Sequence, residues 1–268
     1  LNHPDTKLFT GDIRNITVDE FKKECNINGK KVDVVVGGPP CQGFSMAGSR
    51  DPKDPRNSLF KEFVRFIEGL KPKFFVMENV KGILSAKTVN KESVKEIIMD
   101  EFKKIGYEVS EPRILIASTF GVPQKRERVF FIGHLSGYEF NFPRPTHKPN
   151  GDTNGKSDTQ NNLYGRMKDA VTVGDAFSDL PPVKPHEEGK EYASDPKNDY
   201  QRLMRIGNPK LTCHAAPKHP KKTVYNISRV KPGEPLYPNF KQRIRLHPDM
   251  VAPTVVSQGP RPQFSFAH

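Results

Sequence analysis

The sequence predicts an α/β fold in which a sheet carries the chemistry and a smaller, irregular domain follows it. Three observations point there. Up to about residue 133, short β-branched or aromatic runs alternate with segments of helical period, as in a parallel α/β sheet. Beyond residue 140 that alternation dissolves into stretches rich in Pro, Gly, Asn and Lys. The apolar runs also end in polar turns, where open α/β sheets place their ligands.

Taken in order, Val32–Val36 is a β-branched run ending in Gly37-Gly38 and reads as the first strand. Leu59, Phe63, Phe66, Ile67 and Leu70 recur at helical spacing, with Asn57 or Ser58 placed to cap the helix. Lys73–Met77 is the second strand. Val94, Ile97, Ile98, Phe102 and Ile105 form a second helical stripe, ended by Gly106. Ile114–Ile116 belongs to a further strand, and Val129–Ile132 is another buried run. Phe142–Asn162 reads as a long loop. From Val183 to Asn239 prolines recur and periodicity is weak, which fits a small domain held by loops.

Bulk properties narrow the function classes. Mean hydropathy is -0.67, and no apolar run approaches the roughly 20 residues of a membrane-spanning helix. Residues 1–14 show no charged start followed by an apolar stretch, so no signal peptide is read there. Lys and Arg outnumber Asp and Glu by 43 to 31, a net charge of +12 that favours a polyanionic partner such as nucleic acid over a merely solubilising surface. The cysteines, Cys25, Cys41 and Cys213, are odd in number and widely spaced. They suit neither a disulfide framework nor a zinc site, and fit a reducing, intracellular compartment.

Four clusters carry candidate chemistry. Gly37-Gly38-Pro39-Pro40-Cys41-Gln42-Gly43-Phe44-Ser45 follows a strand directly, and its Gly and Pro residues hold the backbone so that the thiol is exposed. A buried cysteine in a Gly/Pro turn is the competing reading. Met77-Glu78-Asn79-Val80 puts a carboxylate at a strand's end, where partial desolvation favours a proton-donating role, although an ordinary helix-capping turn has the same residues. In Phe120–Arg128, strand alternation predicts that Gln124, Arg126 and Arg128 share one face, as a pocket floor or as a basic surface strand. The fourth cluster, Arg243–Val256, contains Pro253-Thr254-Val255 and by itself reads as a loop followed by a strand.

With these residues in this order, the chain resembles the cytosine carbon-5 DNA methyltransferases of bacterial restriction-modification systems. Pro-Cys-Gln, Glu-Asn-Val and Gln-x-Arg-x-Arg look like family motifs IV, VI and VIII. Pro253-Thr254 looks like motif IX, and Gly11-Asp12-Ile13 looks like the cofactor-lining motif before the Pro-Cys strand. The resemblance implies a Rossmann-like, S-adenosylmethionine-dependent methyltransferase sheet with a smaller, irregular target-recognition domain. It implies that Cys41 is the nucleophile, adding as thiolate to carbon 6 of cytosine, with Glu78, Arg126 and Arg128 completing the catalytic set. A free thiol of pKa about 8.5 is little ionised at neutral pH, so neighbouring arginines or amides would raise the thiolate fraction.

S-adenosylmethionine would lie against Asp12, Ile13, Pro40 and Leu59, with no metal, although Leu59 also belongs to the core stripe. Double-stranded DNA would meet Gln42, Ser45, Gln124, Lys221 and Lys222. Its cytosine would be flipped out of the stack, with Gly43–Asn57 as the closing loop. A cognate restriction endonuclease would act on the same site, no membrane is involved, and the setting would be bacterial cytoplasm at the nucleoid.

These motifs imply a catalytic domain over 1–140, a linker over 141–182, target recognition over 183–242 and a motif IX segment over 243–268. The family's Gly-rich cofactor turn and its last motif are not found. The chain is therefore read as an internal piece, a split subunit or a permuted enzyme, acting as a monomer or within a split-subunit complex. A DNA-binding subunit and a transfer-RNA cytosine methyltransferase are the alternative functions.

Overall fold

The computed structural model describes residues 5–40, 59–149, 167–207, 209–216, 218–237 and 244–255. Cys41, Gln42, Ser45 and the expected Gly43–Asn57 loop lie outside them, as do the expected caps Asn57 and Ser58. The chain divides into two compact units. The first comprises residues 1–115 and 127–143, the second residues 116–126 and 144–268.

The first unit is built on a sheet. Its strands are β1 (Val34–Gly37), β2 (Phe74–Asn79), β3 (Glu108–Val109), β4 (Arg113–Ile116) and β6 (Glu127–His134), with β5 (Gln124–Lys125) belonging to the second unit. The order is β1-β2-β6-β3, with β4 also paired to β6. β1 and β2 are parallel, as the alternation of runs and helices predicted. β6 is not: it runs antiparallel to β2, with Glu78 opposite Phe130 and Asn79 opposite Val129. The expectation of an all-parallel sheet is corrected here. The short link from β4 to β6, residues 117–126, holds only a 3-10 turn and two-residue β5, with no crossover helix to carry the chain back to the end of the sheet where β4 began.

Three helices serve this sheet: α1 (Val18–Glu24), α2 (Phe60–Leu70) and α3 (Val94–Lys104). α1 escaped the sequence reading, yet it starts on a capping box. Thr17 accepts from the Glu20 amide while Glu20 accepts from the Thr17 amide. α2 buries Phe60, Phe63, Val64, Phe66 and Ile67, so the predicted stripe is displaced slightly, with Leu59 and Leu70 only half-buried. α3 buries Val94, Ile98, Met99 and Phe102 behind a Ser93 cap, close to expectation.

The core lies between these helices and β2. Phe75 stacks on Phe102 at 3.9 Å between ring centroids, and Phe63 meets both edge-on. Burying each such side chain contributes about 1.5–3 kcal/mol, which fixes the strand ends that bear the polar turns. β2 alternates strictly, burying Phe75, Met77 and Asn79 and turning Phe74, Val76 and Glu78 to the other face.

The second unit is organised differently. Its elements are short: α4 (Val173–Phe177), α5 (Asp199–Met204), α6 (Lys221–Ser228), β5 and β7 (Ala252–Pro253). Among the described residues its buried apolar side chains are Ala170, Val173 and Leu246, and polar bonds do much of the holding. Gln201, 2% exposed, donates to the Asp175 carbonyl at 2.7 Å and to Ser178 Oγ at 3.0 Å. Arg205 pairs with buried Asp179, donates to the Ser194 carbonyl at 2.8 Å and lies 3.6 Å from the Tyr192 ring centroid. Such a network carries no 2.0 or 3.6 period, so the weak periodicity was a real property of this unit.

Candidate active site

β1 and β2 run side by side and end side by side, so the turns after them are neighbours. β1 closes on Gly37, and Gly38-Pro39-Pro40 follow it. A β-carbon on Gly37 would meet the Phe63 ring at 2.5 Å, so only glycine lets α2 seat this closely beneath the turn. At Gly38 a β-carbon would come 3.3 Å from Glu78 Oε2. The Glu78 carboxylate thus lies against the backbone of the turn that leads to Cys41.

Asn79, read from sequence only within a capping turn and the Glu-Asn-Val motif, ties the two turns together. Its side-chain amide donates to the Pro39 carbonyl at 3.0 Å, and its Oδ1 accepts from the Val80 amide at 2.9 Å. The signal was legible: Phe75, Met77 and Asn79 share the buried face of β2, and a polar residue in a buried slot must find partners.

Glu78 points to the other face, opposite Phe130. Arg128, two residues before Phe130, shares that face. Its Nε lies 2.7 Å from Glu78 Oε1, with side-chain exposures of 20% for Arg128 and 33% for Glu78. The sequence led to the expectation of a partly desolvated carboxylate, and the structure supplies that carboxylate with a guanidinium. Arg128 Nη1 donates to the Glu127 carbonyl at 2.7 Å, and its Nη2 has no partner among the described residues.

The predicted shared face of Gln124, Arg126 and Arg128 does not form. β5 holds Gln124 and stops at Lys125, Arg126 is the break, and β6 starts at Glu127. The Arg126 amide donates to the Gln124 carbonyl at 2.9 Å, a tight turn that ends strand alternation. Gln124 and Arg126 belong to the second unit and Arg128 to the first. Within the second unit β5 pairs in parallel with β7, Gln124 opposite Ala252 and Lys125 opposite Pro253, and Thr254 Oγ1 donates to the Lys125 carbonyl at 2.8 Å. The Gln124 and Pro253-Thr254 motifs are therefore adjacent, which sequence order alone did not reveal.

The residues expected at the cofactor share one support. α2 begins just after Leu59, carries Phe63 beneath Gly37, and through Arg65 Nη2 holds the Ile13 carbonyl at 2.9 Å. Pro40 lies exposed at the end of the turn. Asp12 caps the 3-10 turn Ile13–Asn15 and accepts from Arg14 Nε at 2.9 Å. The Arg14 guanidinium holds its carboxyl down to about 2. An adenine needs apolar surface beside an acceptor for its exocyclic amine. Exposed Ile13 next to ionised Asp12 offers both, so these residues fit that end of S-adenosylmethionine. Among the described residues no three His, Cys, Asp or Glu side chains gather as a metal would need.

Charge is unevenly shared. The second unit has 22 Lys and Arg against 12 Asp and Glu, while the first has 21 against 19, so the polyanion-binding potential belongs chiefly to the second. Lys221 and Lys222 open α6, are exposed and have no ion-pair partner among the described residues. Two cations at a helix N-terminus oppose the macrodipole, so local helix stability does not explain them.

A family model of the C-5 cytosine-specific DNA methylases matches residues 1–250, and the chain belongs to that family. Type II methyltransferase M.DdeI of Desulfomicrobium norvegicum is 41% identical over 235 residues, covering 87% of this chain and 52% of the relative. Type II methyltransferase M.AquIA of Picosynechococcus is 43% identical over 195 residues, covering 69% of this chain and 75% of the relative. The chain thus spans about half the length of the first of these relatives. A crystal structure described as a DNA modification methyltransferase encoded within an E. coli prophage superposes with a TM-score of 0.66 at 23% identity. It covers 91% of this chain and 68% of that one, a likeness in fold.

Proposed function

We propose that this chain carries the cytosine-binding and methyl-transfer centre of a DNA (cytosine-5) methyltransferase. The observation that carries the reading is the Glu78–Arg128 pair at 2.7 Å, set against Gly38 in the turn that leads to Cys41. Cytosine presents a ring nitrogen beside a carbonyl. A carboxyl group and a guanidinium side by side match that edge: Glu78, having taken up a proton, would donate to ring nitrogen 3, and Arg128 would donate from Nη2 to the carbonyl. Drawing electron density to that edge makes carbon 6 open to the Cys41 thiolate. The addition turns the ring into an enamine whose carbon 5 would bond the methyl carbon of S-adenosylmethionine as that carbon's bond to sulfur breaks, and loss of the carbon-5 proton to a base would then expel the thiolate.

S-adenosylmethionine supplies an electrophilic methyl group when bound. Ile13 and Leu59 would offer it apolar surface, Asp12 would accept from its amine and Pro40 would border the same pocket. A stacked base is out of reach of any such centre, so the cytosine must leave the duplex. Arg126 would steady the loop, and Gln42, Ser45 and Gln124 would contact the DNA. Residues 183–242 would read the target, with Lys221 and Lys222 on phosphates. The names of the type II relatives support a restriction-modification setting, with an endonuclease sharing the target, in bacterial cytoplasm.

Sequencing that distinguishes 5-methylcytosine, on DNA from cells expressing the gene that carries this chain, tests the proposal. One short sequence methylated at a single cytosine is the expected result. Unmodified DNA, with the protein present and folded, overturns it.

A further inference from the structure

We propose that Lys81 and Glu127 form a clasp that positions Arg128, an inference that rests on Arg128 being the donor to the base carbonyl. Arg128 lies where β6 leaves its partner β2. The ladder between β2 and β6 ends at Asn79 opposite Val129, so Arg128 and Glu127 lie one and two residues beyond the last pair with β2, on a strand that β4 flanks on its other side. The guanidinium is fixed at two points: Nε on Glu78, and Nη1 on the backbone carbonyl of Glu127 at 2.7 Å. The second point is only as fixed as Glu127 itself.

Glu127 is fixed from the other side of the strand. Neighbouring strand residues point to opposite faces, and the Glu127 carboxylate forms an ion pair with Lys81. Lys81 opens the 3-10 turn Lys81–Leu84, two residues after β2 ends, and Ile83 of that turn is fully buried in the core. The clasp thus links the start of β6, past its last pair with β2, to a turn anchored in the core, and through the Glu127 carbonyl it sets where Arg128 Nη1 rests. An ion pair with Lys81 49% exposed contributes little to stability, so its effect falls on geometry. Lys81 and Glu127 are positioning residues, acting through Arg128.

The test compares Lys81→Met, Glu127→Gln, both together, and the charge exchange Lys81→Glu with Glu127→Lys, all in the protein that carries this chain. Single-turnover methyl transfer should slow about 10-fold in either single variant, less than the ~100-fold that a 1 Å misplacement can cost. KM for DNA should stay unchanged. The double variant should be no slower than the singles, and the exchanged pair should recover most of the rate. In nitrogen-15 spectra the Arg128 Nε–H signal should broaden in Lys81→Met and sharpen again in the exchanged pair. A full rate in Lys81→Met, or a double loss equal to the product of the single losses, overturns the clasp. Should the unaltered protein transfer no methyl group, the proposed activity fails by itself. The spectra then decide, since an Arg128 signal unchanged in Lys81→Met also overturns the clasp. Lys81→Arg, which keeps the charge, serves if the exchanged pair does not fold.

Discussion

The side-chain amide of Asn79 holds the Pro39 carbonyl at 3.0 Å, joining the end of β2 to the turn that leads to Cys41. Forty residues apart in sequence, the two positions are tied by a side chain that is 5% exposed and whose Oδ1 also accepts from the Val80 amide. Asn79→Ala leaves a partly buried carbonyl and an amide without these partners, at a cost of about 1–3 kcal/mol. The urea midpoint should fall accordingly, and methyl transfer should fall further than stability alone explains. An unchanged midpoint would mean that water replaces the tether.

Cys41→Ser should abolish both methyl transfer and the irreversible adduct with duplex DNA bearing 5-fluorocytosine, while DNA binding persists. A serine variant that methylates at the normal rate would remove Cys41 from the mechanism. Glu78→Gln keeps the shape of the side chain but not its acid, and should slow transfer by roughly 100- to 10,000-fold. Adduct formation measured by gel shift is the check.

Asp12 makes a pH prediction independent of catalysis. Its folded-state value near 2 lies below the ~3.9 of an unperturbed Asp, because the Arg14 side chain and then the Arg14 amide bond to the carboxylate. The associated stabilisation is therefore fully present above about pH 4 and is lost as pH falls through 2. A carboxyl carbon titration by NMR should show a midpoint near 2, returning toward 4 in Arg14→Ala. A midpoint near 4 in the unaltered protein would show that the pair does not persist in solution.

If the second unit holds DNA, Lys221→Ala with Lys222→Ala should weaken binding alike for cognate and unrelated duplexes. Each lost phosphate contact should flatten log affinity against log salt by about one unit. The methylated sequence should not change, since phosphate contacts carry no base information. Titrations at several salt concentrations decide: an unaltered slope returns both lysines to a solvated face, and a shifted target makes them base readers.

What the sequence determined by itself was local. The runs that became β1, β2 and β6, the stripes that became α2 and α3, and the polar turns after β1 and β2 all follow from periods of 2.0 and 3.6 residues and from Gly, Pro and capping residues. Tertiary structure decided what depends on distant partners. The antiparallel course of β6 brought Arg128 onto the face of Glu78, and the short β5 set Gln124 opposite Ala252. Asn79 looked like a capping residue until the Pro39 carbonyl was seen across from it. In the second unit, Gln201 and Arg205 hold the chain through single polar bonds to Asp175, Ser178, Asp179 and Ser194. Bonds of that kind depend on position in space, and because they repeat at no fixed interval along the chain, no pattern in the sequence foretells them.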